Sequence, residues 1–168
     1  MFIRRFEPED ASAVSGLIAE TMRISNARDY PSNVLEDLIA HRQPQDILLQ
    51  AAETHFYAAE EKGEIIACGA IGRKHSCCCL YSIFVHPSYQ GKGIGAAIVA
   101  TLEQDAYAAQ TGCIEVPASI TALPFCRKLG YGFRDSRKLD ENDLYRLVKY
   151  HNGTGGFSAF QMQHTCCR

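Results

Sequence analysis

Apolar and polar positions first form a short extended run at 2–6, closed by Pro8. After Glu9 and Asp10, the residues Ala13, Val14, Leu17, Ile18 and Met22 recur at three- to four-residue steps, which predicts an amphipathic helix. Residues 21–31 are polar and aperiodic. Val34, Leu35, Leu38 and Ile39 predict a second helix over 33–41, Pro44 marks a break, and 47–52 fits helix or extended chain equally. From residue 55 the period shortens to two. Runs at 55–60 and 65–73 flank the turn sequence Glu61-Lys62-Gly63-Glu64, so a hairpin is expected, and a third run at 79–86 is rich in aromatic and β-branched residues. A loop over 87–93 leads into a helix predicted over 94–110, with Ile94, Ala97, Ile98, Thr101 and Leu102 on one face. Gly112 ends it. Residues 113–116 then read as a buried strand stopped by Pro117, and 119–129 as a short helix closed by Gly130. Runs at 131–134 and 144–150 are the last two strands. Residues 151–168 contain Gly-Thr-Gly-Gly, carry no period, and read as a loose tail behind a domain spanning 1–150. The pattern predicts a single α/β domain with a mixed, mostly antiparallel central sheet flanked by helices, and one strand–helix–strand unit over 79–116.

Composition narrows what such a domain can do. At 168 residues the chain buries enough surface to fold without staples. Its formal net charge of −2 supplies no basic field for phosphate contacts, so nucleic acid is not an expected partner. No run of 18 apolar residues is present, so no membrane span is expected. The segment Met1-Phe2-Ile3-Arg4-Arg5-Phe6-Glu7 turns acidic before an apolar stretch develops, unlike a secretory signal. The eight cysteines (68, 77, 78, 79, 113, 126, 166 and 167) contain no Cys-x-x-Cys pair, so no metal site is expected. Cys77, Cys78 and Cys79 are consecutive, and strand neighbours face opposite ways. Free thiols in a reducing cytoplasm are therefore the expectation.

The chemistry concentrates in Val85-His86-Pro87-Ser88-Tyr89-Gln90-Gly91-Lys92-Gly93-Ile94-Gly95-Ala96. Three glycines alternate between a strand and a helix. Without a Cβ, backbone there approaches a bulky anion closely, and the first helical turn adds unpaired N–H groups and a positive dipole end. Together these make a phosphate cradle. A P-loop is excluded, because His86 stands five residues before Gly91 and Gly93 follows Lys92. A dinucleotide fingerprint is matched in part by Gly91-x-Gly93-x-x-Ala96, with Glu115 about 20 residues on. Against it, five residues separate Val85 from Gly91, and too little chain follows for a six-stranded parallel sheet.

The stretch Val85-His86-Pro87-x-x-Gln90-Gly91-x-Gly93-Ile94-Gly95 resembles the acetyl-CoA signature of the GNAT acetyltransferase superfamily, Val-x-Pro-x-x-(Arg/Gln)-Gly-x-Gly-(Ile/Leu)-(Gly/Ala). Ala122-x-x-Phe125-Cys126-Arg127-Lys128-Leu129-Gly130-Tyr131 is similar to its second signature, Ala-x-x-Phe-Tyr-x-Lys-x-Gly-(Phe/Tyr). The interval between them and the order of elements over 2–150 also suit the family. The resemblance implies acetyl-CoA as cosubstrate, no metal, and an amine acceptor, either a small molecule or a protein; a homodimer is left open. It implies pantetheine contacts along Ile83, Phe84 and Val85, and a pyrophosphate on Gln90, Gly91, Lys92, Gly93, Ile94, Gly95 and Ala96. Ser119 maps onto a position often held by a coenzyme-contacting Asn, and is equally suited to cap a helix. The catalytic positions it implies are the Val85 N–H as oxyanion donor, Cys126 where the family usually has its proton-donating tyrosine, and Glu115 as a candidate base.

Each has a plainer role beside it. Ala122, Phe125, Cys126 and Leu129 share one helical face, which favours Cys126 as a buried packing residue. Glu115 also fits a solvated strand end. Tyr81 and Tyr131 read as core aromatics, and His75 and His86 as surface residues. The acceptor region is expected over 22–30, where Arg23, Arg28 and Asp29 are polar candidates. Two other functions stay open: a non-catalytic acetyl-CoA-binding module, and an NAD-dependent oxidoreductase built on the partial dinucleotide fingerprint.

Overall fold

The computed structural model describes residues 1–135, 139–140 and 142–150. Seven strands form one sheet: β1 (Phe2–Arg5), β2 (His55–Glu61), β3 (Glu64–Lys74), β4 (Cys77–Val85), β5 (Cys113–Ala118), β6 (Gly132–Phe133) and β7 (Tyr145–Tyr150). Their order is β1-β2-β3-β4-β5-β7-β6, antiparallel throughout except for the parallel pair β4–β5. The expected β2–β3 hairpin turns on Lys62 and Gly63, both at positive φ, as a two-residue loop that follows strand twist requires.

Helices cover both faces. On one, α1 (Ala11–Ser25), α2 (Ser32–Ala40) and α3 (Pro44–Glu53) lay Val14, Leu17, Ile18, Leu35, Ile39 and Ile47 against Phe56, Cys68 and Ala70. On the other, α4 (Ile94–Glu103), α5 (Ala106–Ala109) and α6 (Leu123–Lys128) bring Ile94, Ile98, Leu102, Ala108 and Cys126 to Ile71, Leu80, Ile114 and Leu147. Gly69 lets α4 sit close: a Cβ there would lie 2.6 Å from the Ile98 side chain.

Several boundaries depart from the sequence pattern. Residues 44–53 are helical, and Pro44 starts α3 rather than breaking the chain, with Gln43 and Asp46 forming a capping box. The helix expected over 94–110 is two, because Asp105 leaves α4 and caps α5 by accepting from the Tyr107 N–H. Of 119–129 only Leu123–Lys128 is helical. Pro117 does not stop β5. The Arg146 carbonyl accepts from Arg134, so Arg146 turns its backbone groups toward β6, and its partner Pro117 turns its own away from β7. Proline's missing donor thus falls on the β4 side, where β5 has no ladder beyond Glu115.

The expectation of free thiols is corrected at two positions: Cys77 and Cys113 form a disulfide. Along the strand Cys78 faces away from both Cys77 and Cys79, and it pairs with Ile114 across β4–β5. The residues just before them, Cys77 and Cys113, therefore share a face. Cys68, Cys78, Cys79 and Cys126 are buried free thiols. The expected tail over 151–168, with Cys166 and Cys167, lies outside the described residues. Among the described residues no helix is long and apolar enough to cross a membrane.

Candidate active site

The parallel pair β4–β5 is joined only at Cys78↔Ile114 and Cys79↔Glu115, after which the strands diverge. A bulge in β4 accompanies the split. Cys68 pairs with Phe84 and Ala70 with Tyr81, so Ser82 and Ile83 oppose the single residue Gly69. Ser82 takes φ +49°, and its hydroxyl donates to Gln50 at 2.8 Å. The extra residue reverses the alternation. Ile83 and Val85 pack toward α4, while Phe84 packs toward α1.

Backbone direction then decides what faces the split. The His86 N–H donates to the Ile66 carbonyl at 2.9 Å, on the β3 side. Strand neighbours direct their amides to opposite edges, so the Val85 N–H and C=O both face the gap left by β5. The Val85 carbonyl accepts from Gln90 Nε2 at 2.9 Å and Thr21 Oγ1 at 3.4 Å. Its N–H, on the same edge, has no β5 strand to pair with.

At the mouth of the split stands the glycine loop. Gly91 and Gly93 take φ +75° and +82°, and a Cβ on either would meet nothing within 4 Å, so the space above them is open. Gly93 is the residue before α4, whose first N–H groups point outward there. The other predicted coenzyme positions divide. Gly95 is small for packing, since a Cβ there would meet the Phe125 ring at 3.1 Å and Val85 at 3.4 Å. Ile94 is buried against the core, and Ala96 is half-buried beside it. The Lys92 ammonium lies 4.9 Å from the Tyr89 ring centroid. The Gln90 amide is committed to Ser25 as well as Val85, tying the loop to α1. Ser119 Oγ accepts from the Ala122 N–H at 3.1 Å, which closes the turn after β5.

Of the three catalytic candidates, Val85 stands at the mouth, Cys126 within the core and Glu115 at the closed end. Cys126 is 3% exposed within the α4-side core, and burial pushes its thiol up to about 11. Glu115 is buried, accepts from Lys74 Nζ at 3.0 Å, and is also paired with Arg134. Its register partner Cys79 stands six residues before Val85, roughly 20 Å of extended strand. The structure does not bring Glu115 and Val85 together. Tyr131 is buried and donates to Glu103, and His86 lies 3.3 Å from Glu20.

A strap across the mouth carries no motif and was not visible in the pattern. The Asp29 carboxylate accepts from Thr121 at 2.6 Å, and the Tyr30 hydroxyl accepts from the Ile120 N–H at 2.9 Å. The α1–α2 turn is thereby fastened to the β5–α6 turn on the opposite bank. The sequence pattern offers Asp29 among the polar candidates over 22–30, but not its tie to Thr121 or that of Tyr30 to Ile120. Among the described residues no group of three or more His, Cys, Asp or Glu is placed to hold a metal.

The sheet is split between two parallel strands, and a glycine loop stands open at the head of the helix that follows β4, as the family resemblance implies. Comparison with known proteins agrees. The sequence model of the acetyltransferase (GNAT) family matches residues 19–131, and the chain belongs to that family. It is thus an acyltransferase by descent. No curated protein matches the chain. Among solved structures, it is similar to the PaiA N-acetyltransferase of Thermoplasma acidophilum in complex with coenzyme A, at TM-score 0.79 and 16% identity over 89% of this chain and 98% of that one. A GCN5-related N-acetyltransferase from Rhodopseudomonas palustris gives 0.77 and 21%, over 89% and 95%. YncA of Salmonella typhimurium, solved with acetyl-CoA, gives 0.59 and 19%, over 95% and 98%.

Proposed function

We infer that the protein transfers the acetyl group of acetyl-CoA to a primary amine by direct attack. The observation that carries this reading is the Val85 N–H facing the split beside an open, double-glycine cradle. The diphosphate rests on the amides of 91–96, and the pantetheine arm lies along β4 where β5 has diverged. The amine must first lose a proton, since an alkylammonium has a pKa near ~10.4. Its nitrogen then attacks the thioester carbon, and the Val85 N–H donates to the oxyanion. As the tetrahedral intermediate collapses the C–S bond breaks, the amide remains, and the thiolate takes a proton.

Both oxygens of Glu115 are engaged and far along the cleft, so water carries the amine's proton away. Cys126 stays protonated at neutral pH and is enclosed by core side chains, so it serves packing and solvent returns the proton to the leaving thiolate. The cysteine at this position is also the feature that favours a non-catalytic acetyl-CoA-binding module. A thermal-shift series with acetyl-CoA, CoA and NAD, joined to a thiol-release assay over an amine panel, separates the readings. Acetyl-CoA is expected to raise the midpoint and at least one amine to release CoA. Stabilisation by NAD alone overturns the reading, and tight acetyl-CoA binding with silence from every amine makes the protein a module.

A further inference from the structure

A proton has to reach the departing sulfur at the mouth of the split, and several donors are spent or enclosed. Cys126 lies within the core, Tyr131 donates to Glu103, and His86 lies against Glu20. The phenol of the strap differs. Tyr30 packs its ring on the α1–α3 core, as Phe84 does. Its oxygen reaches the opposite bank, where it accepts from the Ile120 N–H at 2.9 Å. Among the described residues that hydroxyl donates to nothing, so its own proton is unspent.

Two independent constraints put Ile120 across from Val85. In register, Cys79 is level with Glu115. Along β3, Cys79 faces Gly72 and Val85 faces Ala67, so Val85 lies five steps beyond that rung, the bulge having absorbed the sixth residue. Five residues beyond Glu115 is Ile120. In packing, Ser119 accepts from the Ala122 N–H and closes the β5–α6 turn, one helical turn before Phe125. A Cβ on Gly95 would meet the Phe125 ring at 3.1 Å and the Val85 side chain at 3.4 Å, so the two are neighbours. The turn carrying Ile120 is thus held beside Val85, and the Tyr30 oxygen stands over the gap that the Val85 N–H faces.

The two donors differ in kind. The Val85 N–H donates only a hydrogen bond, which suits the oxyanion. The Tyr30 O–H is able to release its proton, and the Ile120 N–H then holds the charge left on oxygen. We propose that Tyr30 is the general acid of the reaction, the group through which solvent returns a proton to the leaving coenzyme sulfur. This rests on the acetyltransferase reading above. As the C–S bond breaks, its electron pair goes to sulfur and the phenol proton moves onto it. Water then reprotonates the phenolate. Charged groups on the surrounding elements are paired: Asp29 with Arg28 on the same turn, Arg23 of α1 with Glu36 of α2, and Arg146 of β7 with Asp140. On this face of β4 the titratable groups are the Cys79 thiol and the Tyr81 phenol, both pushed up by burial.

The test is the single-turnover rate of acetyl transfer by Tyr30→Phe, with an amine that the thiol-release panel selects. The ring is kept, so the thermal midpoint is expected to stay within a few degrees. The rate is expected to fall about 100-fold, with acetyl-CoA affinity within about threefold of the parent. The parent's rate is expected to decline at alkaline pH, where the acid has lost its proton, and this limb disappears in Tyr30→Phe. A 3-fluorotyrosine at position 30, a more acidic phenol of nearly the same shape, moves the limb to lower pH, and serves where Tyr30→Phe folds poorly. Thr121→Val cuts the neighbouring tie of the strap but spares the phenol, and is expected to keep the limb in place. A Tyr30→Phe rate within about threefold of the parent, a limb that ignores the fluorine, or the same loss of rate and limb in Thr121→Val overturns the proposal and leaves the transferase reading standing. No CoA release by the parent with any amine overturns both.

Discussion

Gly93 sits at φ +82° with open space where a side chain would begin. A valine there meets two obstacles. The left-handed backbone costs roughly 1–2 kcal/mol for a residue with a Cβ, and the branched side chain enters the volume assigned to the diphosphate. Gly93→Val is therefore expected to weaken acetyl-CoA binding by about 100-fold or more by calorimetry, with only a modest fall in thermal midpoint. Gly95 is different despite sharing the motif, because its smallness admits the Phe125 ring. Cys126 makes the opposite case, a motif position filled for packing. With its thiol near 11, it does not titrate between pH 6 and 9. Cys126→Ala is expected to lower stability by about 1 kcal/mol. Its turnover is expected to stay within ~10-fold of the parent, with a superimposable pH–rate profile. A loss of ~100-fold with intact folding would promote the thiol to general acid.

At the scale of elements, polar anchors fasten helices to the sheet. Arg4 of β1 forks onto Asp10 at 2.6 and 2.8 Å and reaches Glu60 of β2, fixing the start of α1. The Arg4 guanidinium holds the Asp10 carboxyl below its usual range. A depressed folded value means that the contribution is complete above the unfolded carboxylate pKa, near ~3.9, and is lost as pH falls through the folded one. Asp10→Asn is therefore expected to lower the midpoint at pH 7 and to flatten its decline between about pH 5 and 2. Glu115 is a similar tie, joining β5 to Lys74 of β3 and to Arg134. Glu115→Ala is expected to cost on the order of 2 kcal/mol in denaturant melts, since both cations are partly solvated, while leaving the KM for acetyl-CoA within twofold.

Strand and helix identities, and the cradle itself, were legible because period and glycine spacing are local. The bulge at Ser82 was not. From Cys79 to Val85 nearly every residue is apolar and both faces are covered, so an inserted residue leaves no break in a period-two pattern. Pro44 and Pro117 misled for a related reason: each reads as a stop unless one knows that its missing N–H falls at a helix start or an unpaired edge. The ion-pair cluster on Glu115 was invisible for another, because Lys74, Glu115 and Arg134 come from three separate segments that only the strand order brings together.

For the whole molecule, the Cys77–Cys113 bond decides how firmly the two sides of the sheet are joined. Between β4 and β5 only two residue pairs are in register, yet this seam links the β1–β4 half to the β5–β7–β6 half and forms the closed end of the cleft. The bond spans a sequence separation of 36, and the loss of chain entropy it imposes on the unfolded state is worth about 4 kcal/mol in the loop-closure description. For a chain of this length that corresponds to roughly 10 °C in midpoint. Reduction, or the paired change Cys77→Ser and Cys113→Ser, is therefore expected to lower the midpoint by that order, and the double variant is expected to be indifferent to reductant. Because the seam is apart from the cradle, the unlinked protein is expected to keep its acetyl-CoA affinity at temperatures where it stays folded. If reduction leaves the midpoint unchanged, α4 and α6 packing across the split, rather than the covalent tie, holds the two halves together.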